Sequence, residues 1–206
     1  MSSKNLSAKQ KKSEDAIESL FNEFATASGK YIDLEGIENL CSKLDIAIED
    51  VKALVLAYKL GANTEPGMIM KAEFLQSMKT MRIDSLNSLK QMVPTLDTGF
   101  MENKEFKEFF RFVHKFNRET SSKKFLERDF VIELMPVVLD SSRAPHMELF
   151  LEYLGIQTDN MTISLDQWDS FLTFNEHVTL DLVGYDEDGA WPVIIDDYVE
   201  WRQAKK

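Results

Sequence analysis

Ser28-Gly29-Lys30-Tyr31-Ile32-Asp33-Leu34-Glu35 and, 38 residues later, Pro66-Gly67-Met68-Ile69-Met70-Lys71-Ala72-Glu73 share one order: glycine, short apolar stub, carboxylate. With each glycine at the sixth position of an EF-hand loop, Tyr31 and Ile69 take the apolar eighth position, and Glu35 and Glu73 the twelfth. The flanks are helical in period. Ile17, Leu20, Phe21 and Phe24 recur at i, i+3, i+4, i+7, with Ser13, Glu14 and Asp15 suited to a first turn. A second helix carries Ile37, Leu40, Cys41 and Leu44, a third runs from about Glu49 to Leu60, and a fourth carries Phe74, Leu75 and Met78. Positions one, three and five are Phe24, Thr26 and Ser28 in one loop and Ala62, Thr64 and Pro66 in the other, where calcium needs oxygen-rich ligands. The expectation is an EF-hand-like helix–loop–helix pair over residues 13–83 with no calcium site, preceded by a basic tail at residues 1–12 that stays disordered.

The remaining residues, 84–206, read as a second helical half, which makes the fold class all-α. Leu86, Leu89, Met92 and Val93 mark a short helix ended by Pro94. Phe106, Phe109, Phe110, Phe112, Val113 and Phe116 predict a helix apolar on nearly all sides, surrounded by neighbours. A helix over roughly Glu127 to Leu139 carries Pro136 as a kink, and Leu149, Phe150, Tyr153 and Leu154 form the next, ended by Gly155. Ser164-Leu165-Asp166-Gln167 is a capping-box start that puts Asp166 in a first turn, before Trp168, Phe171 and Leu172. The last helix opens at Pro192, which suits a first turn. Residues 181–202 hold seven acids and one base, Arg202, beside aromatic residues, a one-signed field suited to a basic partner.

Composition narrows the function. The chain has 206 residues, a net charge of -11 and one cysteine. That charge opposes nucleic-acid phosphates, and no apolar run is long enough to span a bilayer. A lone cysteine fits a reducing compartment, and together these features point to a cytoplasmic or nuclear protein. His114, His146 and His177 stand apart without metal-ligand spacing, and no phosphate loop or nucleophile elbow occurs. Cys41 lies on an apolar helix face, where desolvation keeps a thiol inert. No catalytic residue, metal site or cofactor is expected.

Tyr185-Asp186-Glu187-Asp188-Gly189-Ala190-Trp191-Pro192-Val193-Ile194-Ile195-Asp196-Asp197-Tyr198-Val199-Glu200 resembles the signature of the defective-in-cullin-neddylation family, whose fold is the potentiating-neddylation domain. Leu34-Glu35-Gly36-Ile37, Leu54-Val55-Leu56-Ala57-Tyr58-Lys59-Leu60, Phe106-Lys107-Glu108-Phe109-Phe110 and Ser164-Leu165-Asp166-Gln167-Trp168 extend the likeness to nearly everything after residue 12. The resemblance implies an accessory ligase without its own catalytic residue. Such a scaffold promotes cullin neddylation by holding the cullin C-terminal winged-helix region together with the modifier-charged conjugating enzyme, with the RING subunit as a further partner. It implies a cullin-binding patch at Asp166, Ala190 and Asp196. It also implies a pocket for the acetylated N-terminal methionine of the conjugating enzyme, around Leu34, Ile37, Ala53, Leu56, Ile69 and Phe116. Ala53 is smaller than the family's usual residue, and Glu65-Pro66-Gly67-Met68 is a divergent loop at the pocket rim. The alternative is an EF-hand-like helical adaptor with other protein partners.

Overall fold

The computed structural model describes residues 2–158 and 160–205, with side chains at residues 8, 10–158 and 160–205. Two compact units divide the chain, residues 1–121 and 122–206. None of the helices described is long and apolar enough to cross a membrane.

The first unit contains α1 (Ser2–Phe24), β1 (Tyr31–Ile32), α2 (Leu34–Lys43), α3 (Val51–Lys59), β2 (Ile69–Met70), α4 (Lys71–Met81), α5 (Leu86–Met92) and α6 (Asn103–Phe116). The two apolar stubs pair antiparallel, Tyr31 opposite Met70 and Ile32 opposite Ile69, so each stub leads directly into a helix. The backbone of α1 starts at Ser2, eleven residues ahead of the expected Ser13. Met1 and the side chains of residues 2–7 and 9, part of the expected tail, lie outside the described residues. Ala8, Gln10, Lys11 and Lys12 are strong helix formers, and extending a nucleated helix costs little.

Both loops turn at their glycines, Gly29 and Gly67, each at φ +65. Glu73 secures the second loop. Its Oε1 accepts from the Asn63 and Thr64 amides at 3.0 and 2.8 Å and from the Thr64 hydroxyl at 2.6 Å, and its Oε2 accepts from the Met70 amide at 2.9 Å. The carboxylate oxygens of the twelfth position thus tie the loop to itself. Gly36, in the first turn of α2, meets the end of α1: a Cβ there would sit 2.2 Å from the Phe24 carbonyl oxygen and 2.6 Å from Ile32 Cγ2.

α6 differs from expectation. Phe106, Phe109, Phe110, Phe112, Val113, His114 and Phe116 are buried, yet Lys104, Lys107, Glu108, Arg111 and Lys115 form an exposed stripe at helical spacing. The helix is amphipathic, not surrounded; its apolar arc is wide, and the charges between the phenylalanines fall on the remaining face. Tyr58 of α3 packs its ring on Phe109 and Phe112, with centroids 5.6 and 5.3 Å apart.

The second unit contains β3 (Phe125–Glu127), α7 (Arg128–Val138), α8 (Met147–Gly155), β4 (Thr162–Ser164), α9 (Leu165–His177) and α10 (Val193–Ala204). β3 and β4 pair antiparallel, with Leu126 opposite Ile163, and again each strand runs straight into a helix. Neither strand was expected, because two three-residue pieces are too short to show alternation. Pro136 falls in the last turn of α7, which ends at Val138. Pro192 sits one residue earlier than expected, as the extended N-cap of α10 (ψ 143).

Gly36→Ala should lower stability by about 1–3 kcal/mol, because the clashing atom is helix backbone and cannot rotate away. Urea unfolding of Gly36→Ala beside Gly29→Ala, where only the positive φ opposes a side chain, should show the larger loss at Gly36.

Candidate partner-binding surfaces

The acidic C-terminal surface is built on α9 and α10, which pack against each other. Ser164 caps α9: its hydroxyl accepts from the Gln167 amide at 3.3 Å while Gln167 Oε1 accepts from the Ser164 amide at 2.8 Å, completing the expected capping box. Asp166 is exposed in the first turn of α9, where the helix dipole favours a carboxylate. Asp196 is half-buried in the first turn of α10, and Ala190 is exposed just before that helix.

Asp196 belongs to a knot of contacts, and Ala190 lies between two of its residues, Gly189 and Trp191. Trp191 packs edge-on to Phe174 at 5.6 Å, and Tyr185 packs edge-on to the same ring at 6.4 Å. The Tyr185 hydroxyl donates to Asp196 Oδ1 at 2.7 Å. Gly189 closes the turn by donating to the Asp186 carbonyl at 3.0 Å, and a Cβ on it would lie 3.0 Å from the Trp191 indole nitrogen. Asp166 stands eight residues before Phe174, about 12 Å along the helix, so it presents its charge from the other end of α9. Asp181, Asp186, Glu187, Asp188, Asp197 and Glu200 are all exposed.

Beneath the turn, the fully buried His146 joins three helices. Its amide donates to Asn175 Oδ1 at 2.8 Å, and Asn175 donates in turn to the Phe171 carbonyl at 2.8 Å. Nε2 lies 3.2 and 3.0 Å from the carbonyls of Val178 and Thr179, and Nδ1 lies 2.9 Å from the Tyr198 hydroxyl. Carbonyl oxygens only accept, so Nε2 carries the proton and Nδ1 accepts from Tyr198. Burial lowers the His146 pKa from its ordinary 6.5, and the Arg202 charge pushes the same way against the two carbonyl bonds. Burial raises the Tyr198 hydroxyl to about 12 and that of Tyr153, aided by Asp197, to about 12. Sequence reasoning treated His146 as an isolated histidine. Its partners lie 29 to 52 residues away, and no spacing rule connects them.

In the first unit, Ile37, Ala53, Leu56, Ile69 and Phe116 are buried, while Leu34 is 57% exposed at the start of α2. These residues come from α2, α3, β2 and α6. The divergent loop is tied to the end of α6 by the Gly67 amide, which donates to the Phe116 carbonyl at 2.8 Å. Cys41 is buried, and burial, with Glu38 adding, pushes its thiol up to about 11. Among the described residues, no group of three or more His, Cys, Asp or Glu side chains is placed to hold a metal ion.

A sequence model of the family described as "Cullin binding" matches residues 88–201. The chain belongs to the DCN1-like cullin-binding family. It is 31% identical over 172 residues to human DCN1-like protein 5, covering 84% of this chain and 71% of that one. It is 29% identical over 192 residues to rat DCN1-like protein 3, covering 92% and 63%. Membership places the protein in the cullin neddylation pathway as an accessory factor with a cullin for partner.

The imidazole yields a pH test. A histidine whose folded pKa lies below its unfolded 6.5 binds fewer protons when folded, so stability is full above pH 6.5 and declines as pH falls towards the lowered value. In chemical unfolding, stability should fall as pH drops through 6.5, with a slope of at most about 1.4 kcal/mol per pH unit from this one group. His146→Gln should be less stable at pH 7.5 and lose that share of the slope. An unchanged slope in His146→Gln would refute the neutral assignment.

Proposed function

We propose that this protein promotes cullin neddylation by binding the C-terminal winged-helix region of a cullin and the modifier-charged conjugating enzyme on one chain. No covalent step takes place on the protein itself. The observation that carries the cullin half is the exposed acid surface, in which Ala190 adjoins the Trp191 knot and Asp196 is held by Tyr185. Asp166 and Asp196 supply carboxylates, and the small Ala190 lets a basic surface approach closely. The family match spans all three residues.

The conjugating enzyme's acetylated N-terminus is proposed to enter the first unit beside the exposed Leu34, with Ile37, Ala53, Leu56, Ile69 and Phe116 forming the walls. Acetylation removes an ammonium charge that would be costly to bury. The RING subunit completes the proposed assembly, and the cytoplasm or nucleus is its proposed place. Bringing two partners together raises effective concentration and can gain about 10²- to 10⁴-fold in apparent affinity. The reactive cysteine belongs to the conjugating enzyme. A buried thiol raised to about 11 supports a packing role for Cys41.

Calorimetric titration with the winged-helix piece of a cullin should show saturable binding that Asp196→Ala and Ala190→Arg each remove while circular dichroism stays unchanged. Folded wild-type protein that binds none of the organism's cullins would refute the proposal. In a reconstituted neddylation assay, Cys41→Ser should retain the full rate enhancement, whereas loss of enhancement with the fold intact would reinstate a thiol mechanism.

A further inference from the structure

Tyr185 bridges the buried Phe174 ring and the acidic patch. Its ring is half-buried against Phe174, yet its hydroxyl extends to Asp196 Oδ1 at 2.7 Å. The turn that delivers it is tightly constrained. The Thr179 amide donates to the Val183 carbonyl at 3.0 Å, and the Tyr185 amide donates to the Leu182 carbonyl at 3.3 Å. Leu182 adopts φ +68, a left-handed conformation that costs a non-glycine residue free energy. Gly184 adopts φ +99, and a Cβ on it would lie 2.3 Å from the His177 carbonyl oxygen. Only glycine fits there, so Tyr185 starts from a backbone anchored to the end of α9.

We infer that Tyr185 is a positioning residue for the cullin contact, its hydroxyl holding the Asp196 carboxylate in one rotamer before a basic partner arrives. The inference rests on the cullin-binding role proposed for Asp196. A half-buried aspartate without a fixed partner samples more than one rotamer, and fixing one on binding costs free energy. The bond to Tyr185 meets that cost in advance. A phenol suits the task because it is a neutral donor. A lysine or arginine in its place would orient the carboxylate but cancel the charge that the partner must find. Burial raises the Tyr185 pKa well above the ordinary phenol value, with the Asp196 hydrogen bond and the charges of Asp196, Glu187 and Glu200 adding to it, so the hydroxyl keeps its proton.

Tyr185→Phe keeps the ring on Phe174 and deletes only the donor. Titration with the cullin winged-helix piece should show the dissociation constant rising about three- to tenfold. Three-bond couplings that report the Asp196 χ1 angle in isotope-labelled protein should change from a single rotamer to an average. A purely structural role for the hydroxyl would lower the melting temperature without moving those couplings. Tyr185→Phe binding as tightly as wild type, or binding weakly with Asp196 still in one rotamer, would overturn the inference while leaving the cullin patch standing. Wild type failing to bind, or Asp196→Ala binding as wild type does, would remove the patch itself and the positioning role with it.

Discussion

A buried imidazole nitrogen without a hydrogen-bond partner costs free energy, and in the second unit His146 pairs both nitrogens by facing two backbone carbonyls and one phenol. That choice dictates the rest of the neighbourhood. The carbonyls come from residues just past the end of α9, whose remaining acceptors need donors once the helix stops. The phenol comes from the buried side of α10, and the imidazole itself from the residue preceding α8. One neutral ring therefore ties the end of α9, the start of α8 and the buried side of α10 together. Phe150 and Phe174 pack edge-on to the same Tyr198, and Phe171 stacks on Phe150 behind them, so aromatic rings surround the polar joint.

The first unit solves a different problem. Its helices are brought together by paired stubs only two residues long, too few to hold a sheet alone. The work falls to the loops, where Glu73 accepts from the Asn63, Thr64 and Met70 amides, and to Gly36, whose missing side chain lets α2 begin against the α1 backbone. Ion pairs at the surface, such as Lys71 with Glu18 and Lys79 with Glu14, link α1 to α4, but each is exposed enough to contribute little.

Much of this was legible from residue order. Gly29 and Gly67 sit at matched places in two similar octapeptides and adopt the same φ, and Ser164 with Gln167 forms the box that four residues announce. Such features are local, so a short window holds all their partners. The exposed stripe of α6 was misjudged because six large apolar residues in eleven suggested burial from every side; the charges alone, plotted at 100° per residue, show the open face. The pairing of β3 with β4, the His146 joint and the Tyr185 bond to Asp196 could not be read at all. Each depends on residues brought together from distant parts of the chain, and their chemistry is ordinary until the fold makes them neighbours. The charge count alone shows an acidic field suited to a basic partner, whereas its three proposed contact residues come from family likeness.

The concentration of charge between Asp181 and Glu200 has a kinetic side. Carboxylates that stay exposed and share one sign extend an attractive field about a Debye length into solvent, roughly 8–10 Å at physiological salt. A cationic surface drifting past is turned towards the patch before any contact forms, so the field acts on the rate of encounter. How long the visitor then stays depends on the short-range contacts it makes, and a half-buried carboxylate such as Asp196 is screened less than the exposed ones around it. Added salt therefore weakens arrival more than residence.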